Sequence, residues 1–425
     1  MKIQKKSENI TPFAGISFVI EEINQCGLSK LIDNHLGSRC LTGYQYSEIF
    51  SSWFSVFFSG GDVAEDINCH LRESLSTIPG NRVPSADTLL RGIKELSTEN
   101  DTIKSTSGKE YQFNINKKMN DLNIKLLLLT RQLKKGELYD FDYDNQIIEH
   151  EKYDAKRTYK HNTGYFPGVA TIGDKIVYVE NRDGNANVKT YQAETLKRAY
   201  NLLNDNGIKI NRSRMDAGSY SEDIVKVVAE NSQLFYIRAN RCEALTERIR
   251  KITLWKTEEI NYKKYQLASI EFTSFMEDSN FKLVVMREKN SDGQTDLFTG
   301  DDFIYRCILT NDHESSEKEV VEYYNKRGAS EKTFDIQNND FGWNHLPCSD
   351  MNHNTVYLIL TAMMKNFYNH FISKVSKVFN DIPVTSRLKK LIFRFITVPG
   401  KWIKQSRQWK LRLYTERPYE MLYSA

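Results

Sequence analysis

The sequence predicts an α/β protein whose first part is helical and whose sheet is interrupted by a β-rich insertion. Apolar residues recur at helical spacing through most of residues 12–134, and from Leu138 onward the pattern changes to strands and then to strand–helix–strand order. Strands that alternate with helices are typical of a sheet with helices on its faces. Between residues 241 and 312 short β-like runs replace the helical rhythm. This segment is therefore predicted to be the insertion.

Length and composition are those of a folded protein with more than one domain. The chain has 425 residues, of which 40% are hydrophobic and 12% aromatic, so two or three substantial cores can form. The most apolar window is too short to span a bilayer, and the polar first residues lack a signal-peptide core. Six scattered cysteines without a C-x-x-C pair fit free thiols in a reducing compartment. We therefore expect a cytoplasmic protein.

The N-terminal segment, residues 1–134, is predicted to be an all-helical domain. Ser85 is placed to cap a helix that continues to Leu96, and a second helix is predicted at residues 62–71. The pair fits either a helix-turn-helix module or an ordinary helical bundle. Residues 98–116 are polar and are predicted to form a linker.

A predicted strand at residues 138–148 carries aspartates at three alternate positions, Asp140, Asp142 and Asp144. Because side chains alternate between the faces of a strand, these carboxylates share one face and the aromatic residues between them share the other. Carboxylates this close repel one another by roughly a few kcal/mol at an effective dielectric constant of about 20. Either a hard cation such as Mg²⁺ or Mn²⁺ relieves the repulsion, or the strand end faces solvent.

Two further patterns lie downstream. Asp216 ends a predicted strand and is followed by Ala-Gly, a position where catalytic groups collect in α/β sheets and where a helix N-cap also occurs. Tyr324, Arg327 and Glu331 are three and four residues apart, so a helix places them on one face. Taken alone, the arginine–glutamate pair is typical of a surface salt bridge.

Basic and aromatic residues are mixed in two segments. The first follows the acidic strand and contains Lys156 and Arg157. The second, residues 384–415, contains nine lysines and arginines and no acid. Such segments favour a nucleic-acid backbone, although a solvated pair of basic strands would have the same composition.

The order and spacing of these motifs resemble the DDE transposases of bacterial insertion sequences. The likeness covers residues 139–369 and is greatest to the group with a Tyr-Arg-Glu-Lys signature, in particular insertion-sequence family thirteen-eighty. The first family motif, apolar-Asp-x-Asp-Ser-Thr-apolar, is similar to residues 141–147, with Asn-Gln in place of Ser-Thr. The family's Arg-Pro-Gly-Asn run resembles residues 182–185, with Asp183 in place of proline. The lysine of the signature is expected at position 338, where this chain has an asparagine, Asn338.

The resemblance implies a ribonuclease-H-like catalytic core in which carboxylates hold two Mg²⁺ or Mn²⁺ ions per active site. The catalytic and metal-binding acids would be Asp144, Asp216 and Glu331. Asp142 is the alternative metal ligand in the first motif.

The resemblance also implies where DNA is bound. Tyr324 and Arg327 match the signature residues that hold the DNA phosphate near the scissile bond. Lys156 and Arg157 are the expected contacts in the first basic segment. Trp255, the only tryptophan of the predicted insertion, either stacks on a DNA base or fills the β core.

The function implied is cut-and-paste transposition, with metal-dependent strand cleavage and strand transfer. The partners would be double-stranded DNA, as terminal inverted repeats and target DNA, and a second copy in a homodimer associated with a bacterial nucleoid. A metal-dependent nuclease of the same fold and a non-catalytic DNA-binding protein derived from a transposase are the alternatives. The domains expected are a helical DNA-binding domain at 1–134, the core at 135–240 and 313–375, the insertion at 241–312 and a basic tail at 376–425.

Overall fold

The computed structural model describes residues 1–4, 8–39, 41–105, 107–240, 243–276, 280–290 and 302–423. The α-helices are α1 (Ile16–Gln25), α2 (Leu28–Leu36), α3 (Tyr46–Phe58), α4 (Arg72–Ser76), α5 (Ala86–Glu95), α6 (Lys117–Leu129), α7 (Gln192–Asp205), α8 (Glu222–Asn231), α9 (Glu243–Arg250), α10 (Glu317–Asn325), α11 (Ala329–Asp340), α12 (Met351–Val378) and α13 (Leu388–Leu391). The β-strands are β1 (Asp101–Lys104), β2 (Glu110–Asn114), β3 (Leu138–Asn145), β4 (Ile148–Glu149), β5 (Lys156–Arg157), β6 (Thr163–Tyr165), β7 (Gly168–Ile172), β8 (Lys175–Arg182), β9 (Lys209–Met215), β10 (Leu234–Ala239), β11 (Lys256–Ile260), β12 (Lys263–Phe272), β13 (Phe281–Lys289), β14 (Phe303–Thr310), β15 (Gly400–Gln405) and β16 (Gln408–Leu413).

One mixed sheet of eleven strands organises the described chain, in the order β1-β2-β8-β7-β3-β9-β10-β14-β13-β12-β11. Strands β3, β9 and β10 are parallel, and the other neighbours in the sheet are antiparallel. Two smaller sheets accompany it, β4-β6-β5 and the ribbon β15-β16. The predicted α/β class is confirmed. Because β3 and β9 are parallel, their carboxyl ends lie at the same edge of the sheet.

Asparagine side chains form hydrogen bonds with backbone groups of β8 that have no partner strand beside them in the described part of the chain. Asn120 of α6 exchanges two hydrogen bonds with the backbone of Val179, at 2.8 and 2.9 Å. Asn123 of α6 and Asn366 of α12 bond to the backbone of Ile176, at 2.8 to 3.2 Å. β2 pairs only with Asn181 and Arg182 of β8, so the backbone groups earlier in β8 need other partners on that side. The asparagine amides supply them and dock α6 and α12 on the sheet.

The N-terminal helices share one hydrophobic core with α12 and with the C-terminal segment. Trp53 and Phe54 of α3 pack against Tyr357 and Phe367 of α12, each pair with ring centroids 5.5 Å apart. Buried Glu22 of α1 is paired with His370 and Lys374 of α12. Helices from the two ends of the chain therefore pack together, and the predicted domain boundaries stay a prediction.

Several local predictions can be compared with these elements. Ser85 caps α5 as predicted, since its Oγ accepts a hydrogen bond from the backbone N–H of Thr88 at 3.3 Å. The stretch 62–71 contributes only a π-helical turn, Ile67–Leu71, that leads into α4. None of the helices in the described ranges is long and apolar enough to cross a membrane.

The prediction of an all-helical N-terminal segment with a linker at residues 98–116 is wrong. These residues contain β1 and β2, which form a hairpin, and β2 joins the central sheet by pairing with β8. Buried Tyr111 and Phe113 alternate with polar Gln112 in β2, but this signal is short, and the partner strand β8 lies far along the chain. The predicted insertion is β-rich as expected, and its strands β11–β14 extend the central sheet beyond β10.

Candidate active site

The aspartates of β3 share one face of the strand, as predicted, and the first two are paired with arginines of β9. Asp140 is the register partner of Arg212, and Asp142 is the register partner of Arg214. Each arginine binds its carboxylate through two nitrogens, at N–O distances of 2.7 to 2.8 Å for Arg212 and 2.7 Å for Arg214. Paired guanidinium groups, rather than a metal ion, therefore neutralise two of the three acids.

The Asp142–Arg214 pair is buried beneath α10. The two residues are 4% and 7% exposed, and Arg214 also donates to the backbone oxygen of Tyr323 at 3.0 Å. Burial raises the pKa of Asp142, while the hydrogen bonds and charge of Arg214 oppose the rise. Both oxygens of Asp142 are bound, which favours Asp144 as the metal ligand of the first motif.

Asp144 and Asp216 lie side by side where the parallel pairing of β3 with β9 ends. Tyr143 pairs with Met215 in the parallel register of β3 and β9, so the next residue of each strand reaches the same edge. Burial raises the pKa of Asp144 to about 6, and the charge of Asp216 adds to the rise. Asp216 also accepts a hydrogen bond from the backbone N–H of Gly218 at 3.0 Å and caps a short 3₁₀ turn. Both interpretations of Asp216, an N-cap and a strand-end acid, thus describe its position.

Tyr324 and Arg327 reach this edge from α10 and the turn that follows it. Arg327 Nη1 lies 2.9 Å from Asp144 Oδ2. The Tyr324 hydroxyl donates to the backbone oxygen of Met215 at 3.2 Å. Burial raises the pKa of Tyr324 to about 12, so the hydroxyl remains a hydrogen-bond donor at neutral pH. The third motif is therefore joined to the first two through Arg327 and Tyr324.

The structure does not bring Glu331 into a cluster with Asp144 and Asp216. Glu331 lies in the first turn of α11 and is exposed. In the described part of the chain, no group of three or more His, Cys, Asp or Glu residues could hold a metal ion. The role of Glu331 as the third acid stays a prediction.

The other predicted DNA contacts lie on either side of the site. Lys156 and Arg157 form β5 and are exposed in the small sheet that follows β3. Trp255 lies between α9 and β11, where its indole N–H donates to the backbone oxygen of Ile252 at 3.2 Å. The guanidinium of Arg287 lies 3.9 Å from the centroid of the Trp255 ring. These contacts favour the core-filling alternative for Trp255, and DNA binding by the three residues stays a prediction.

Arg212 and Arg214, which neutralise Asp140 and Asp142 of β3, were not predicted from the sequence. The signal was present as Arg-Ser-Arg at residues 212–214, which has the same period of two as the aspartates. It becomes informative only once the two strands are known to be neighbours in this register. The donor set that remains, Asp144 and Asp216, fits Mg²⁺ or Mn²⁺ in its chemistry, because both side chains offer hard oxygen ligands and a cation would relieve their repulsion.

The family of the chain is shown by its sequence as a whole. A family model described as transposase DDE domain group 1 matches residues 8–425. The chain belongs to this family of DDE transposases. It is a transposase, an enzyme that cleaves and transfers nucleic-acid strands in transposition and DNA recombination. The prediction from the motifs is confirmed at this level, and the likeness to insertion-sequence family thirteen-eighty stays a prediction.

The cryo-EM structure of the piggyBac transposase synaptic complex with hairpin DNA is similar to this chain with a TM-score of 0.45 and 11% sequence identity. The similarity covers 90% of this chain and 79% of that chain. No curated protein sequence matches the chain.

Proposed function

We propose that this transposase moves an insertion sequence by a metal-dependent cut-and-paste reaction, with Asp144, Asp216 and Glu331 as its catalytic acids. The observation that carries the proposal is that Asp144 and Asp216 lie side by side at the carboxyl ends of parallel strands, with Arg327 in contact with Asp144. The carboxyl ends of parallel strands are where open α/β sheets bind their ligands. Glu331 follows Arg327 closely in sequence and so belongs to the segment that Asp144 contacts.

A ribonuclease-H-like core is the fold that we propose for the catalytic part. It is supported by the strand order β8-β7-β3-β9-β10, in which an antiparallel meander is followed by two parallel strands. The long separation of Asp216 from Glu331 in sequence is accounted for by β11–β14, which lie between them in the chain. The Tyr-Arg-Glu part of the signature supports the likeness to insertion-sequence family thirteen-eighty.

Asp144, Asp216 and Glu331 would hold Mg²⁺ or Mn²⁺, two ions per active site. Bound ions of this kind stabilise the attacking and leaving oxygens of a phosphodiester displacement. The rest of the site acts through its own side chains. Arg327 is placed to bind the phosphate that approaches Asp144, since a planar guanidinium binds phosphate through two parallel hydrogen bonds. Tyr324 positions this segment by its hydrogen bond to Met215.

DNA outside the site would be bound by exposed basic residues on two elements. Lys156 and Arg157 stand in β5, next to the acids in sequence. In the ribbon β15-β16, Leu411 packs against the core, and the alternating neighbours Lys410 and Arg412 are exposed. Phosphate contacts of this kind supply affinity without sequence information. We expect a homodimer that holds both ends of the element, with the N-terminal helices at the terminal repeats, in a bacterial cytoplasm.

The test is cleavage by the full chain of a duplex that carries the terminal inverted repeat flanking the gene, with Mg²⁺ present. We expect Asp144→Asn, Asp216→Asn and Glu331→Gln each to lower the cleavage rate at least about 1000-fold, equivalent to roughly 4 kcal/mol of transition-state stabilisation. Binding of the repeat should change by less than about twofold, because phosphate contacts elsewhere supply affinity. Asp140→Asn is the matched control on the same face of β3 and should cleave normally.

The alternatives give different outcomes in the same assay. Cleavage without joining of the freed 3′ end to target DNA would identify a nuclease of this fold. Repeat binding with no cleavage by the unaltered chain would identify a non-catalytic DNA-binding protein. If Asp142→Asn were inactive and Asp144→Asn active, the first motif would be assigned two residues too late.

A further inference from the structure

The small sheet β4-β6-β5 stands at the active-site edge of the central sheet. It is formed by the segment that leaves β3 just after Asp144 and returns to it through β7. The Asn145 side-chain amide donates to the backbone oxygen of Phe166 at 3.4 Å, and the Gln146 N–H donates to that of Pro167 at 3.1 Å. The base of the small sheet is therefore attached to the residue next to Asp144.

Tyr159 is displayed at the tip of this small sheet, in the turn between β5 and β6. It is 65% exposed, and its ring meets that of Phe166 in a T-shaped contact with centroids 5.8 Å apart. The turn is fixed by backbone hydrogen bonds from Thr158 to Asn162 at 2.7 Å and from His161 to Thr158 at 3.0 Å. The ring is thus held in place from one side, and most of its surface is open.

The hairpin that carries Tyr159, residues 156–165, contains basic residues and no acid. Lys156, Arg157 and Lys160 are exposed in the same hairpin. Two of the three acids between β3 and β5 are engaged within the protein, and the third, Glu151, is exposed. Glu149 accepts a hydrogen bond from the Asn162 side-chain amide at 2.9 Å. Asp154 accepts one from the backbone N–H of Met351, the first residue of α12, at 2.7 Å. Exposed cations beside an open aromatic ring are the combination that binds single-stranded nucleic acid.

We propose that Tyr159 stacks on an unpaired base of the DNA strand that lies at the active-site edge. Lys156, Arg157 and Lys160 bind the phosphates on either side of that base. The inference rests on the proposed function and adds the form of its substrate, DNA with an unpaired nucleotide beside the cleavage position. A base inside a duplex is already stacked on both faces, so a protein ring gains this contact only with an unstacked base. Because the Tyr159 ring is pre-ordered by Phe166, little side-chain entropy is lost on binding.

Two DNA probes of the same terminal-repeat sequence test the proposal with the full chain in the absence of divalent ions. One is a blunt duplex, and the other ends in a short fork of unpaired nucleotides with 2-aminopurine next to the junction. The unaltered chain should bind the forked probe more tightly and quench its fluorescence. Tyr159→Ala should weaken binding of the forked probe by about 5-fold to 100-fold, the range for loss of one stacked base. Binding of the blunt probe should change less than about twofold, because its phosphate contacts remain.

Two variants serve as controls. Tyr159→Phe keeps the ring and should keep both the preference for the fork and the quenching. Tyr262→Ala removes a tyrosine that is 99% exposed in the turn between β11 and β12, at the far edge of the sheet, and should change neither probe.

The outcomes separate this inference from the proposed function. Equal weakening of both probes by Tyr159→Ala, or no weakening of either, overturns stacking on an unpaired base. If the unaltered chain still cleaves the terminal repeat in that case, the proposed function stands without it. If the unaltered chain neither binds nor cleaves the repeat, the proposed function and this inference fail together.

Discussion

Asp142 and Asp144 are two residues apart on one face of one strand, yet their surroundings differ. Asp142 is buried and has a bidentate partner of its own, Arg214, directly across from it on β9. Asp144 is the neighbour of a second acid, Asp216, and meets a single arginine nitrogen from a distant segment. The residue on the neighbouring strand makes the difference, because β9 presents Arg214 beside Asp142, whereas Asp216 follows the end of β9 beside Asp144. The strand pairing therefore gives Asp142 a buried partner of its own and leaves Asp144 beside a second acid.

The largest difference in stability is expected from Asp142→Asn. The change leaves Arg214 buried without its carboxylate, and breaking a buried ion pair in this way costs about 3–5 kcal/mol of unfolding free energy. Denaturant unfolding without divalent ions measures the loss. The double variant Asp142→Leu with Arg214→Met should recover most of it, because neither charge then remains buried. A loss below about 1 kcal/mol in Asp142→Asn would show that the pair is solvated.

The opposite sign is expected for Asp144→Asn in the metal-free protein. The folded-state pKa of Asp144 is about 6, above its ordinary value of 3.8, so the folded chain binds this proton more tightly than the unfolded chain. The unfolding free energy of the unaltered protein therefore falls as pH rises from about 4 to about 6. Asparagine removes the charge and should stabilise the protein above pH 6 by at most about 3 kcal/mol. The stabilisation by Asp144→Asn should vanish near pH 4. A stabilisation that does not depend on pH would contradict the raised pKa of Asp144 as its cause.

A smaller effect, on catalysis, is expected from Arg327→Lys. Lysine keeps the charge beside Asp144 but loses the planar fork, so cleavage should slow by about tenfold, or roughly 1.4 kcal/mol. Repeat binding should remain within about twofold, because it depends on many other charges. Arg212→Lys, a change in an arginine that pairs with Asp140, is the matched control and should leave cleavage unchanged. Cleavage at the original rate by Arg327→Lys would assign Arg327 to a structural salt bridge.

The smallest effect is expected from Asp140→Asn. The side chains of Asp140 and Arg212 are 31% and 36% exposed, although their hydrogen-bond geometry matches that of the buried pair. Solvent screening limits such a pair to about 1 kcal/mol or less of unfolding free energy. Comparison of the unfolding curves of Asp140→Asn and Asp142→Asn tests whether burial, rather than geometry, sets the difference. An equal loss of unfolding free energy in the two variants would contradict burial as the cause.

The sequence by itself determined the features that depend on a few consecutive residues. The alternation in β3 predicted its acidic and aromatic faces, and Ser85 predicted the start of α5. The turn at Gly173 between β7 and β8, where φ is +61°, follows from the conformational freedom of glycine. Asp216 was recognised at a strand end, and Asp144 on the acidic face of the predicted strand. These features follow from local backbone geometry, which each short stretch carries with it.

The tertiary structure decided the features that depend on which distant segments meet. It placed residues 101–114 in the sheet, joined the N-terminal helices to α12, and set Arg212 and Arg214 opposite the first two aspartates. It also left Glu331 outside the pair formed by Asp144 and Asp216. The same short pattern is compatible with many partners, and the choice among them is made by burial and register across the whole sheet. For this reason the acids could be named from the sequence, whereas the partners that give each acid its role could not.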